Sequence, residues 1–217
     1  MSPRRARAVR SRVGDDPATA LREHLIDTAE KLLGDRQVAG ITTRDIARAA
    51  GVSDGVLYNY FAGKHELLVA ALVRRYAGSV ERFEADLPAP GTGTVEDNLV
   101  AYAQAAVDLV AETLPTAAGL MSEPSLLHRF VEAIHQQPYG PQRMYHPIAE
   151  YLAGEQRLGR LEEFDIDPAV HLIVGPALVL GFSAIIGGRS REDLTAEIPG
   201  IVRTLLTGLG TRQGLRA

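Results

Sequence analysis

Cysteine and tryptophan are absent from this chain of 217 residues, methionine occurs three times and aromatic residues make up 6% of it. Without cysteine there is no disulfide framework, no thiolate metal site and no cysteine nucleophile, which is compatible with a cytoplasmic setting. Lysine is also scarce: Lys31 and Lys64 are the only two among 23 basic residues, a bias that points to a GC-rich coding sequence rather than to a function. The glycine loop of phosphate binders, G-x-S-x-G and H-E-x-x-H are all missing. The six histidines are scattered, and although His128 and His135 share a helical face, two turns separate them, too far for the usual i, i+4 metal pair. Neither a catalytic residue, a metal ligand nor a cofactor is expected.

What is present is unevenly charged. The formal net charge of −4 conceals 11 basic against 8 acidic residues in 1–65, and 12 against 19 in 66–217. A basic end suits phosphate, and an acidic body does not. The first fourteen residues, MSPRRARAVRSRVG, hold five arginines and no acid, and they lack the apolar core of a secretory signal. They read either as a solubilising tail or as an arm for phosphates and the minor groove. Asp15, Asp16 and Pro17 then suit a helix start, and Leu21, Leu25, Ala29, Leu32 and Leu33 supply its apolar stripe.

From Thr42 to Lys64 the chain reads TTRDIARAAGVSDGVLYNYFAGK, two short helices joined by a tight turn. Thr42 or Thr43 can cap the first helix, Asp45 favours its positive end, and Ile46, Ala47 and Ala50 share one face. Gly51 suits a left-handed helix end, and Ser53 an N-cap for a second helix from Asp54 to about Phe61. On that helix Leu57 and Phe61 point one way, while Gly55, Val56 and Asn59 point the other, flanked by Tyr58 and Tyr60. Such a face suits a major groove: a small residue for close approach, a methyl surface, an amide and two phenols. Arg44 is the candidate for a bidentate guanine or phosphate contact, and Thr43 can donate to a phosphate. Asp54 serves either the helix dipole or a cytosine amino group.

Ile41 to Ala47, Ala50 to Ser53 and Leu57 to Phe61, with Lys64, Glu66 and Leu67 behind, resemble the tetracycline-repressor (TetR) family of bacterial transcription regulators. The resemblance extends upstream to Leu25, Ile26, Ala29, Leu32 and Leu33 and covers about residues 20–75. The family usually places an aromatic residue where Leu33 stands, a departure that touches core packing. The resemblance implies an all-α chain: a three-helix helix-turn-helix DNA-binding domain, then a helical domain that dimerises and binds a small effector. It also implies that Lys64 contacts phosphate. The expected division is an Arg-rich arm over 1–17, a DNA-binding domain over 18–66 and an effector-binding and dimerisation domain over 67–217. A repressor of this kind, or an activator of the same fold, binds a palindromic operator as a homodimer.

Behind Lys64 a helix is expected to about Leu87, ended by Pro88-Ala-Pro-Gly-Thr-Gly-Thr94. Thr94 with Asp97 opens another helix, and Pro115, Pro124, Pro138, Pro141 and Pro147 are expected to divide the middle of the chain into short ones. Tyr102, Met121, His128, Phe130, Met144, Tyr145 and Tyr151 are candidates for lining an apolar or amphipathic effector's pocket, although such residues at helical spacing also serve as core. Ala169 to Gly188 is uncharged for twenty residues, yet Pro176, four glycines and His171 favour a buried helix over a membrane span. A last helix is expected from Ser190 to Leu209, kinked or divided at Pro199-Gly200. By the resemblance, the last two helices, about 169–209, pair with their copies in a dimer, and Gly181 and Ala184 would permit close approach there.

Overall fold

The computed structural model describes residues 16–35, 38–137, 140–188 and 190–208, so nearly all of the Arg-rich arm lies outside the described residues. Among the described residues the chain forms α-helices and two short 3-10 turns, Val38–Gly40 and Pro141–Met144, with no strand. The helices are α1 (Pro17–Asp35), α2 (Thr43–Ala50), α3 (Asp54–Tyr58), α4 (Lys64–Ala85), α5 (Val95–Leu120), α6 (Pro124–His135), α7 (His146–Arg157), α8 (Ile166–Gly187), α9 (Arg191–Ala196) and α10 (Ile198–Thr207). They group into two compact units, residues 1–78 with 117–138 and residues 79–116 with 139–217.

In the first unit, Pro17 sits in the opening turn of α1, where its missing N–H costs no hydrogen bond. Leu25, Ile26, Ala29 and Leu33 are buried along one stripe. They join Ile41, Ile46, Leu57, Phe61, Leu67, Leu68 and Leu72 in an apolar core. Full burial of each large side chain contributes about 1.5–3 kcal/mol. On the surface, the Arg74 guanidinium reaches both Glu23 and Asp27, tying α4 to α1. Leu120 and Leu126 are fully buried in this same core, so residues 117–138 belong to the first unit rather than to the second domain expected over 67–217. The signal is the amphipathic pattern of α6, which buries Leu126 and Ile134 on one side.

The second unit packs around Leu99, Tyr102, Ala106, Val107, Ile148, Tyr151, Val174 and Ala177. Its helices depart from the sequence expectations at Pro115 and refine them in two further places. Pro115 lies inside α5, which runs unbroken for 26 residues. The lost bond and ring clash cost about 3 kcal/mol, and apolar burial on both sides of the proline, at Val107 and Val110 before it and Leu120 after it, offsets them. Next, α8 is buried on one face only. Val170, Ile173, Val174, Ala177 and Leu180 face the core, whereas Leu172, Leu178, Val179 and Phe182 are exposed by 47–66%. It is also the one described helix long and apolar enough, by length and composition, to cross a membrane. A Cβ added to Gly181 would fall 2.5 Å from Val110 Cγ1, so this glycine serves packing against α5 within the chain. Finally, the segment after Ser190 divides at Glu197 into α9 and α10. Ser190 and Asp193 form a reciprocal capping box, and Pro199 falls in the first turn of α10, where a proline is tolerated.

Candidate nucleic-acid interface

Thr42, not Thr43, caps α2. Its hydroxyl accepts from the Asp45 N–H at 3.2 Å, and the Asp45 carboxylate accepts from the Thr42 N–H at 3.1 Å. Both donors are ones a helix start leaves without an internal partner. Thr43 is then the first helical residue, half-buried beside the cap. At the other end Gly51 takes φ 71°, the left-handed conformation that ends the helix. Its N–H donates to the Arg48 carbonyl at 3.2 Å, and that of Val52 to Ala47 at 2.9 Å.

Ser53 holds the N-cap position of α3 with extended backbone, but its side chain caps nothing. The second helix is shorter than its pattern suggests: regular α-helix ends at Tyr58, and Asn59 and Tyr60 donate to Val56 and Leu57 at 3.2 and 3.0 Å. Such i to i−3 bonds tighten a terminal turn. The turn still delivers Phe61 to the core, 1% exposed, beside Leu57 at 0%. Arg22 stands over the Phe61 ring, 5.1 Å from its centroid.

The opposite face is open. Gly55, Tyr58 and Asn59 are exposed, while Asp54, Val56 and Lys64 are half-buried. Tyr60 is half-buried and packs in part against the first core. Arg44 Nε lies 3.6 Å from the Asp54 carboxylate, with the arginine side chain 82% exposed. That contact gives Asp54 a partner that sequence alone did not suggest. Exposed pairs of this kind contribute about 0–1 kcal/mol, so the guanidinium can exchange its carboxylate for a phosphate or a base edge at little cost.

The residues named for an effector pocket do not come together as a set. Met121 is 69% exposed and His128 is exposed, and Phe130 packs edge-on to Tyr76 at 6.2 Å. All three belong to the first unit. Their spacing on amphipathic helices served the core and surface of that unit. In the second unit Tyr102 and Tyr151 stack at 5.0 Å, Tyr145 stacks on His171 at 5.6 Å, and Met144 is half-buried against the core. Tyr102 and Tyr151 border an open cleft of about 670 Å³ whose other walls include Glu84, Leu87, Arg143, His146 and Glu150. Burial raises both phenols from 10.0 to about 12, so they remain neutral donors at physiological pH. The Tyr102 hydroxyl donates to the Pro88 carbonyl at 3.1 Å.

Sequence reading missed two long-range polar contacts of the second unit, the first of them in the wall of this cleft. Arg143 forks onto the Glu84 carboxylate, a hydrogen bond that raises the arginine further. Glu155, 0% exposed, accepts from the Gly91 N–H at 3.0 Å and pairs with Arg160 at 3.2 Å. Partners 59 and 64 residues apart leave no local signal.

An apolar three-helix frame that presents a capped turn and an exposed second helix is that of a helix-turn-helix protein. Residues 25–71 match the family model described as bacterial regulatory proteins, tetR family. That match places residues 25–71 with the DNA-binding segment of this family. Over 83 residues it is 36% identical to the HTH-type transcriptional repressor NemR of Escherichia coli K12, covering 38% of this chain and 41% of that one. Over 61 residues it is 41% identical to the HTH-type transcriptional regulator EthR of Mycobacterium tuberculosis H37Rv, covering 28% and 26%. The chain thus spans well under half the length of these curated relatives, which are named as transcriptional regulators and not as enzymes. The fold likeness extends further. A TetR-family regulator structure from Mesorhizobium loti aligns over 89% of this chain and 98% of its own, with a TM-score of 0.67 at 19% identity. The regulator FadR of Bacillus subtilis, solved with stearoyl-CoA, aligns over 87% and 99% with a TM-score of 0.59 at 19% identity.

Proposed function

We propose that this protein is a cytoplasmic transcriptional regulator, acting as a repressor, which binds a palindromic DNA operator as a homodimer and releases it when a small molecule binds. The observation that carries the reading is the open face of Gly55, Val56, Tyr58 and Asn59 beside the exposed Arg44, held on a largely apolar frame. Thr43, Ser53, Asp54, Tyr60 and Lys64 complete the DNA-facing set. Two copies place their α3 helices in major grooves whose centres lie about 34–36 Å apart, or a multiple of that. The exposed Leu172, Leu178, Val179 and Phe182 of α8, with Leu206 of α10, support self-association, since a contiguous apolar face of this kind is seldom left to water. The cleft bordered by Tyr102 and Tyr151 is the effector site, and its mixed lining suits an amphipathic molecule.

The test is a salt titration of duplex binding. Asn59→Ala or Arg44→Ala lowers affinity for the preferred sequence by about 1–3 kcal/mol and relaxes preference at one position. Lys64→Ala weakens all sequences alike and reduces the salt slope by about one. Unchanged affinity and slope in Lys64→Ala remove that residue from the interface.

A further inference from the structure

Lys64 and His65 do not stand alone. A cleft of about 540 Å³ is lined by Ala62, Gly63, Lys64, His65, Glu66 and Arg129, all within the first unit. Arg129 comes from α6, more than sixty residues further along the chain, and its side chain is exposed. Two full cations and a histidine therefore share a small concavity with a single acid, Glu66, whose Oε2 also accepts from the Ala62 N–H at 2.7 Å, so cations outnumber acids there. Among the described residues neither Lys64 nor Arg129 forms an ion pair. The excess of positive charge over that one acid favours an external anion.

We infer that Arg129 is a backbone-phosphate contact, extending the DNA-binding surface from the helix-turn-helix onto α6. The inference rests on the DNA-binding reading above, since Lys64 is what joins the cleft to that surface. The phosphodiester is the fitting anion because it is repeated along a polymer already expected at Lys64, and a guanidinium fork can grip two of its oxygens. The contact fixes register and adds affinity without reading sequence. Arg129 lies in residues that the sequence pattern assigned to the effector domain, so α6 is the element through which the DNA surface reaches beyond the helix-turn-helix.

The experiment uses the full-length protein and a duplex recovered by its own selection from a random pool, with a scrambled duplex beside it. For Arg129→Ala the slope of log affinity against log salt falls by about one, equally on both duplexes. Arg129→Lys keeps the slope, Arg129→Glu lowers it further, and thermal midpoints stay at the wild-type value. An unchanged slope in Arg129→Ala overturns the inference. So does a slope change that Arg203→Ala, an exposed arginine of the second unit, reproduces in full, because net charge alone then accounts for it. A lowered midpoint in Arg129→Ala with a wild-type slope in the folded Arg129→Glu also overturns it. Wild-type protein that selects no duplex defeats the DNA-binding reading itself, a result separate from any of these.

Discussion

The first unit keeps its polar chemistry outside and the second brings its own inside. Around Leu25, Leu57, Phe61 and Leu68 the core is apolar, and Arg44, Asp54 and Arg74 make their pairs at or near the surface. In the second unit Asn98, Tyr151 and Glu155 are buried, Arg143 and Glu84 frame a cleft, and Leu172, Leu178, Val179 and Phe182 of α8 lie outside. The contrast matches what each unit binds on the proposed function. A charged polymer is met by a rigid frame with solvated side chains that can change partner cheaply. A small molecule is met by neutral donors at the wall of a cleft, and a second copy of the chain by exposed apolar surface.

The comparison breaks first at the cores. Phe61→Ala removes a buried ring and costs about 3–5 kcal/mol. Amide hydrogen exchange should show the loss of protection across α1 to α3 and across α6, which shares that core, and much less in α7 and α8. Uniform loss through both units would mean they unfold as one. In the second unit Gly181→Ala forces a Cβ to within 2.5 Å of Val110 Cγ1. Overpacking of this kind costs about 1–3 kcal/mol, seen as a lower midpoint in chemical denaturation with intact DNA binding at low temperature.

The smallest effect concerns pH. Tyr102 and Tyr151 are raised by burial to about 12, so the folded state favours their neutral form. Their contribution is complete below the ordinary value of 10.0 and is lost as pH rises through about 12. Phenolate absorbance in an alkaline titration should therefore show two late tyrosines, and Tyr102→Phe should remove one. Ionisation of all seven near the ordinary value would show that the two are solvated.

The same contrast explains what the sequence allowed to be read. Thr42 with Asp45, Gly51, and the inward Leu57 and Phe61 are local features, each set by residues within one or two turns, and all appear where spacing placed them. Regular α3 ends before Phe61 because Asn59 and Tyr60 make i to i−3 bonds, while the Phe61 N–H still reaches Leu57 at 3.1 Å and keeps the helical direction. Arg44 with Asp54 joins two elements across a turn, and no periodicity encodes it. In the second unit the deciding interactions are long-range, Arg143 with Glu84 and Glu155 with Gly91. There aromatic and methionine spacing marked core as readily as pocket, and Met121, His128 and Phe130 fell in the first unit. Exposure along α8 was hidden for a related reason: an uncharged run looks the same whether one face or both are covered. The Arg-rich arm is legible by composition alone.

The most direct measurement is selection of bound duplexes from a random pool by the full-length protein, repeated with Arg44 and Asn59 both replaced by alanine. The expected result is one palindrome whose half-site centres lie about 34–36 Å apart, or a multiple of that, with its preferred bases blurred for the double variant. No enrichment by the wild type, or the same sharp palindrome from both proteins, would contradict the claim that this face reads DNA.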